Sequence, residues 1–183
     1  MDPASGLMDE EGCLWKSARL AMAKVPPDAA KQEFRAQIQR ALDGGIDVTH
    51  IDLHNSIERK PEFLEACHEL GKEFKLPAFC YRDPIFTDVI VDMRINRNAP
   101  TDWFIQRLKA VRPGFTFIHS HAAKGGEELA ACTGARSAGW RDASYRALVD
   151  PRLKEAVEEM GLKLVGYREI RDVMGAHPDE FWG

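Results

Sequence analysis

The chain has 183 residues, the upper end of single-domain size, and at this length roughly 70% of the surface exposed by the unfolded form becomes buried. With 44% hydrophobic and 30% charged residues the composition is that of a globular protein with a packed core, and it excludes disordered, collagen-like and disulfide-dense classes. A formal net charge of −4 with no Lys/Arg-rich run argues against nucleic-acid binding, which leaves small molecules or proteins as partners. A complete (β/α)8 barrel takes about 250 residues, so the chain is short for one.

No apolar run approaches the length of a membrane span, and the start, MDPASGLMDEEG, lacks the basic and apolar regions of a signal peptide. The expected location is cytoplasmic, with no membrane partner. Cys13, Cys67, Cys80 and Cys132 are scattered without a CxxC pair and read as thiols, not as a disulfide framework or a zinc-thiolate site.

In chain order, residues 1–25 are polar and turn-rich and read as a loop-like start. Phe34, Ile38 and Leu42 recur at spacing four after Pro27–Asp28 and predict a helix over Asp28–Asp43, closed by Gly44–Gly45. Ile46–His54, IDVTHIDLH, alternates and reads as a strand. Pro61 opens a second helix with Phe63, Leu64, Cys67, Leu70 and Phe74 on one stripe, and PAFCY from Pro77 reads as a short strand.

Arg82–Asn98 is compatible with a strand or with an excursion over the active face and is left unassigned. Pro100–Thr101 opens a helix carrying Trp103, Phe104, Leu108 and Val111, which ends at Pro113–Gly114 before the strand FTFIHSH. Ser137–Val149 reads as loop followed by a short helix, Pro151–Glu159 as a stronger helix, LKLVGY as a last strand and REIRDVM as a last helix. Residues 176–183 read as a tail. The alternation predicts one α/β domain over 1–183, with mostly parallel strands alternating with helices.

Two histidine groups carry the chemistry. On a strand, His50, Asp52 and His54 project from one face, and so do His119 and His121. Both groups sit at carboxyl ends of predicted strands, where parallel sheets place ligands and catalytic groups. Imidazole and carboxylate donors suit a divalent ion such as magnesium, zinc, iron or manganese, with open positions for water. A spare histidine can then protonate a leaving amine. His50 and His119 can equally orient other groups, and His68 and His177 stand apart from other donors. Trp140, between Gly139 and Arg141, offers an aromatic face in a polar loop, as ligand platform or loop anchor.

THIDLH (Thr49–His54), the passage GKEFKLPAF, FIHSHAAKGGEEL and the closing block WRDASYRALVDPRLKEAVEEMGLKLVGYREIRD occur in an order that resembles the YdjC-like carbohydrate deacetylases, the ChbG/HpnK group. GLMDEEGCLW resembles a loop of the same family, so the resemblance runs over roughly Gly6–Met174. It implies an incomplete (β/α) barrel of the glycoside hydrolase/deacetylase type that removes acetyl groups from N-acetylated sugars with a divalent metal.

By position it implies His54 as metal ligand, with His50 beside it, Asp52 as supporting or catalytic carboxylate, and His121 as the acid for the leaving amine. His119, Trp140 and Arg141 are then substrate contacts. Ala122 stands where the family commonly has proline, and the family's early Asp-Asp pair and Gly-Leu-His segment have no counterpart. The chain therefore resembles the carboxyl-terminal part of such an enzyme, with weak metal affinity and little or no activity alone as the expectation. Two other readings stay open: an amidohydrolase-like metal hydrolase with a complete His/Asp site, and a non-catalytic binding or assembly domain whose open strand edges favour a homodimer.

Overall fold

The computed structural model describes residues 5–182, which group into two compact units: residues up to 80 together with 165–182, and residues 81–164. The chain is mixed α/β, mostly helical, with one two-stranded parallel sheet among the described residues.

In the first unit, α1 (Ala18–Lys24) starts at Ser17, whose hydroxyl accepts from the Leu20 N–H at 3.3 Å. This helix occupies part of the stretch expected to be loop-like. α2 (Pro27–Asp43) and α3 (Pro61–Phe74) both carry proline in the first turn, where its missing N–H costs no hydrogen bond. They lie side by side, tied by Lys31–Glu69 at 2.5 Å and by two parallel bonds from Arg35 to Glu73 at 2.8 and 2.5 Å. Ile38, Ile51, Cys67, Leu70, Leu76 and Ala78 form one core, and Leu7, Val25, Ala30 and Phe63 another. α8 (Tyr167–Ala176) and α9 (Pro178–Phe181) complete the unit; Arg168 and Arg171 of α8 both pair with Asp47.

In the second unit, β1 (Phe86–Val91) pairs in parallel with β2 (Phe115–His119), and α4 (Pro100–Lys109) makes the crossover between them. Val91 stands opposite His119, so both strands end level. Gly114 enters β2 at φ 130°, and a Cβ there would lie 2.4 Å from Thr87 Cγ2, so only glycine fits. α5 (Glu127–Thr133), α6 (Ala135–Leu148) and α7 (Pro151–Glu159) follow. Ile90, Ile95, Phe104, Leu108, Trp140 and Leu153 pack around the small residues Ala143 and Ala147, which let helices α4 and α6 approach closely. Asp150 caps α7 and accepts the Thr101 hydroxyl of α4 at 2.7 Å; its bonds from Arg152, then Thr101, hold its carboxyl well below the usual range.

The predicted helices form, but three of the predicted strands do not. Ile46–Leu53, Pro77–Cys80 and the stretch after Leu162 belong to no ladder, and a single backbone bond, Ile51 N–H to Pro77 O at 2.8 Å, links the first two. Alternation reports which face of a segment is apolar; a ladder also requires a second backbone in register, which sequence pattern does not encode. The unassigned stretch contains β1, and the segment expected to begin as a loop at Ser137 lies inside α6. No helix of the described residues is long and apolar enough to cross a membrane.

Phe63 and Phe104 are each almost fully buried, in different units. Phe63→Ala and Phe104→Ala are each expected to cost about 3–5 kcal/mol. Urea unfolding checks this, and a loss below about 1 kcal/mol at either position would contradict the core assigned to that unit.

Candidate active site

β1 leads into Asp92, the first residue of a 3-10 turn (Asp92–Arg94), and the Asp92 carboxylate is 0% exposed. Asp92 Oδ2 accepts two hydrogen bonds at 2.8 Å, from the Ser120 hydroxyl and from the His121 backbone N–H. One buried carboxylate thus ties the end of β1 to the residues that follow β2. Its other oxygen, Oδ1, lies 3.7 Å from His121 Nδ1, and neither atom has a hydrogen-bond partner although both are buried. That separation is at ion-pair range and longer than a hydrogen bond.

His121 is enclosed on its other sides. Its ring meets the Trp140 ring edge-on at 5.3 Å and the His119 ring at 4.5 Å, and its carbonyl accepts from Arg141 at 3.3 Å. Arg141 also donates to Ser137 Oγ at 3.1 Å, and its guanidinium sits 4.8 Å from the centre of the Trp140 ring. Burial, then the adjacent His119, push the His121 imidazole below its ordinary value, while Asp92 pulls the other way. The group is therefore neutral at neutral pH. Nδ1 points at Asp92, which leaves Nε2 as the nitrogen able to exchange a proton with a ligand.

The second unit thus brings together His119, Trp140, Arg141 and Asp92 around His121. Trp140 is not in a polar loop: it stands on α6, 9% exposed, as part of the core. Gly139 beside it leaves room for Arg97, whose guanidinium lies 2.8 Å from where a Cβ would stand. Asp92 was missed from the sequence because its segment was unassigned; the signal for it is a carboxylate directly after the alternating apolar run FTDVIV.

His50, Asp52 and His54 lie in the first unit on an unpaired segment. The His50 ring stacks on Tyr167 at 4.0 Å with planes 6° apart, and its Nδ1 is 3.0 Å from Thr49 Oγ1. Burial pushes its imidazole down as well, opposed by Asp52. Asp52 and His54 are exposed, and His54 opens a 3-10 turn (His54–Arg59) in which Asn55 and Ser56 both take left-handed conformations. In the same turn Glu58 is 5% exposed and neither of its carboxylate oxygens has a partner.

A catalytic metal site takes about three protein ligands. Among the described residues no three His, Cys, Asp or Glu side chains come together at such a distance. The resemblance assigns His54 and His50 to a metal, and among the described residues no third donor joins them.

Two outcomes follow from the Asp92–His121 geometry. NMR titration of the His121 ring is expected to give a midpoint below the ordinary imidazole value of about 6.5, lowered further in Asp92→Asn because a charge favouring imidazolium is gone. Because the unfolded chain protonates first, the stability held by neutral His121 is complete above about pH 6.5 and is lost as pH falls towards the folded-state midpoint. A midpoint that rises or stays fixed in Asp92→Asn would mean that Asp92 is only a strut.

Comparison with known proteins agrees with the resemblance in the motifs. The family model described as YdjC-like protein matches residues 1–159. A carbohydrate deacetylase of Vibrio campbellii is 24% identical over 149 residues, covering 78% of this chain and 59% of that protein. One from Geobacillus stearothermophilus is 27% identical over 147 residues, covering 76% and 59%. The chain thus spans under two thirds of the length of these relatives. A crystal structure from Enterococcus faecalis V583, described as a cellobiose-phosphate cleavage protein, superposes with a TM-score of 0.71 at 24% identity, over 90% of this chain and 69% of that one. The fold is shared with that structure, and with its family model matched over most of its length the chain belongs to the YdjC-like protein family.

Proposed function

We propose that the chain is a deacetylase-type hydrolase for N-acetylated sugars, with His121 as its proton-transfer group and Asp92 as the residue that positions it. The observation that carries this reading is the buried Asp92 carboxylate, which holds the backbone of His121 at 2.8 Å and faces its Nδ1 at 3.7 Å. The carbohydrate deacetylases among its relatives supply the substrate class. Its fold is read as part of a (β/α) barrel, of which β1, α4 and β2 form one parallel unit.

The acetamide is hydrolysed in two proton movements. Neutral His121 takes a proton at Nε2 from the water that attacks the acetyl carbonyl, and the imidazolium so formed is stabilised by the Asp92 charge behind Nδ1. His121 then gives that proton to the sugar nitrogen as the C–N bond breaks, releasing acetate and a free amine. Arg141, anchored on the His121 carbonyl, and His119 flank the position of the substrate. Trp140 backs His121 and limits its rotation.

The chain alone is expected to release acetate slowly from N-acetylated chito-oligosaccharides, since the described residues gather no three-donor metal site. His121→Ala should lower that release by about 100-fold or more, the usual scale for a lost general acid–base. Exposed Arg168, outside this cluster, serves as the control, and Arg168→Gln should leave the rate unchanged. Acetate release that survives His121→Ala would remove His121 from the reaction. Titration with Zn2+ or Mg2+ is expected to show no tight stoichiometric uptake; one tight site lost in both His50→Ala and His54→Ala would instead favour the amidohydrolase-like reading.

A further inference from the structure

His121 stands in the loop between β2 and α5, residues 120–126, outside the strand ladder. Asp92 holds only the start of that loop, at the Ser120 hydroxyl and the His121 N–H. α6 takes hold of the rest. The His121 carbonyl accepts from Arg141 Nη1 at 3.3 Å, the Ala123 N–H donates to the Arg141 carbonyl at 3.2 Å, and the Gly125 N–H donates to Asp142 Oδ1 at 2.8 Å. Residues 121, 123 and 125 are every second position of the loop, so two consecutive residues of one helix bind it along a single edge.

The last of these bonds is the shortest of the three, and its acceptor is braced from behind. Asp142 Oδ2 accepts from Arg146 Nε at 2.9 Å, and Arg146 also donates to the Arg97 carbonyl at 3.2 Å. Arg146, then the Gly125 N–H, hold the Asp142 carboxyl below the usual carboxylate range, so it is a charged and therefore strong acceptor at neutral pH. At Gly125 a Cβ would lie 2.7 Å from Asp142 Oδ1 and 2.9 Å from its Cγ, so this close approach needs glycine. An unfastened loop has many conformations open to it, whereas a proton-transfer group works only when held within about 0.5 Å of its productive place.

We propose that Asp142 is a positioning residue for His121: braced by Arg146, its carboxylate fastens the loop to α6 at Gly125 and so fixes where the imidazole stands for proton transfer. This rests on the reading of His121 as the proton-transfer group. Asp142 acts through the backbone and not on the ring, whose neighbouring charged groups are His119, Asp92 and Arg141. Losing its charge and losing its clasp have opposite signs. Removal of a negative charge lowers an imidazole midpoint, whereas release of the loop relieves the burial that depresses His121 and raises it.

The test is NMR titration of the His121 ring, with amide hydrogen exchange at Gly125, in the full chain. Asp142→Ala is expected to raise the midpoint by about 0.5 or more towards the ordinary value of about 6.5, and to speed Gly125 exchange about tenfold or more. Gly125→Ala, which keeps every charge, should shift the midpoint the same way. Asp142→Asn keeps an oxygen for the Gly125 N–H and should stay within about 0.2 of the wild type. A midpoint that is unchanged or lowered in Asp142→Ala, or an equal rise in Asp142→Asn, would overturn the proposal. These readings need no turnover. In acetate release from N-acetylated chito-oligosaccharides, Asp142→Ala should lower kcat about tenfold with KM within about twofold, and Asp142→Asn should recover most of the rate. No acetate release from the wild-type chain would overturn the hydrolase reading, while the ring titration still decides the clasp.

Discussion

A carboxylate with no solvent contact, Asp92, governs the arrangement of the second unit. A parallel pair of strands has no hairpin to hold its ends level, and β1 and β2 are joined only through α4. Asp92 supplies the missing tie by accepting from Ser120 and from the His121 backbone. Burying a charge is costly unless hydrogen bonds compensate it, so the two bonds on Oδ2 are a condition for the residue to be there at all. The oxygen left over, Oδ1, faces Nδ1 of His121. The same carboxylate that secures the fold is therefore the electrostatic partner of the imidazole.

Packing from the opposite side completes the environment. α6 presents Trp140 to His121 while Ala143 and Ala147 bring that helix close to α4. Because Trp140 also belongs to the core with Phe104 and Leu153, the imidazole leans on the packed core of the unit and not on a loop. Arg141, one residue on, closes the remaining side through the His121 carbonyl.

How much of this is legible in the sequence depends on whether the signal is local. Helices α2, α3, α4 and α7 announce themselves through proline in the first turn and apolar residues at spacing three and four, all of which are local preferences. α6 is partly hidden because its buried face, apart from Trp140, is made of Ala138, Ala143, Ser144 and Ala147, too small to raise an amphipathic pattern. The strands are non-local: Ile46–Leu53 has the alternation but no ladder, whereas β1 was ambiguous and is paired. His119, His121 and Arg141 could be named from their motifs. Asp92 could not, since its role depends on Ser120 and His121 arriving from 28 and 29 residues away. The motif His50-x-Asp52-x-His54 was legible as donors, but the ring stacking of His50 on Tyr167 spans more than 100 positions of chain and has no sequence signature.

The turn of Asp92, Met93 and Arg94 has a consequence for how such a chain can diverge. Asp92 and Arg94 are two residues apart in one short 3-10 turn, so a backbone change that shifts the inward carboxylate also moves the exposed guanidinium. Sequence drift at either end of the turn is filtered by both of its faces. An inserted residue would turn the positions after it by about 120° and so take one of the two side chains off its face. Lineages that retain the buried carboxylate are therefore constrained in loop length at this point, whatever becomes of the surface around it.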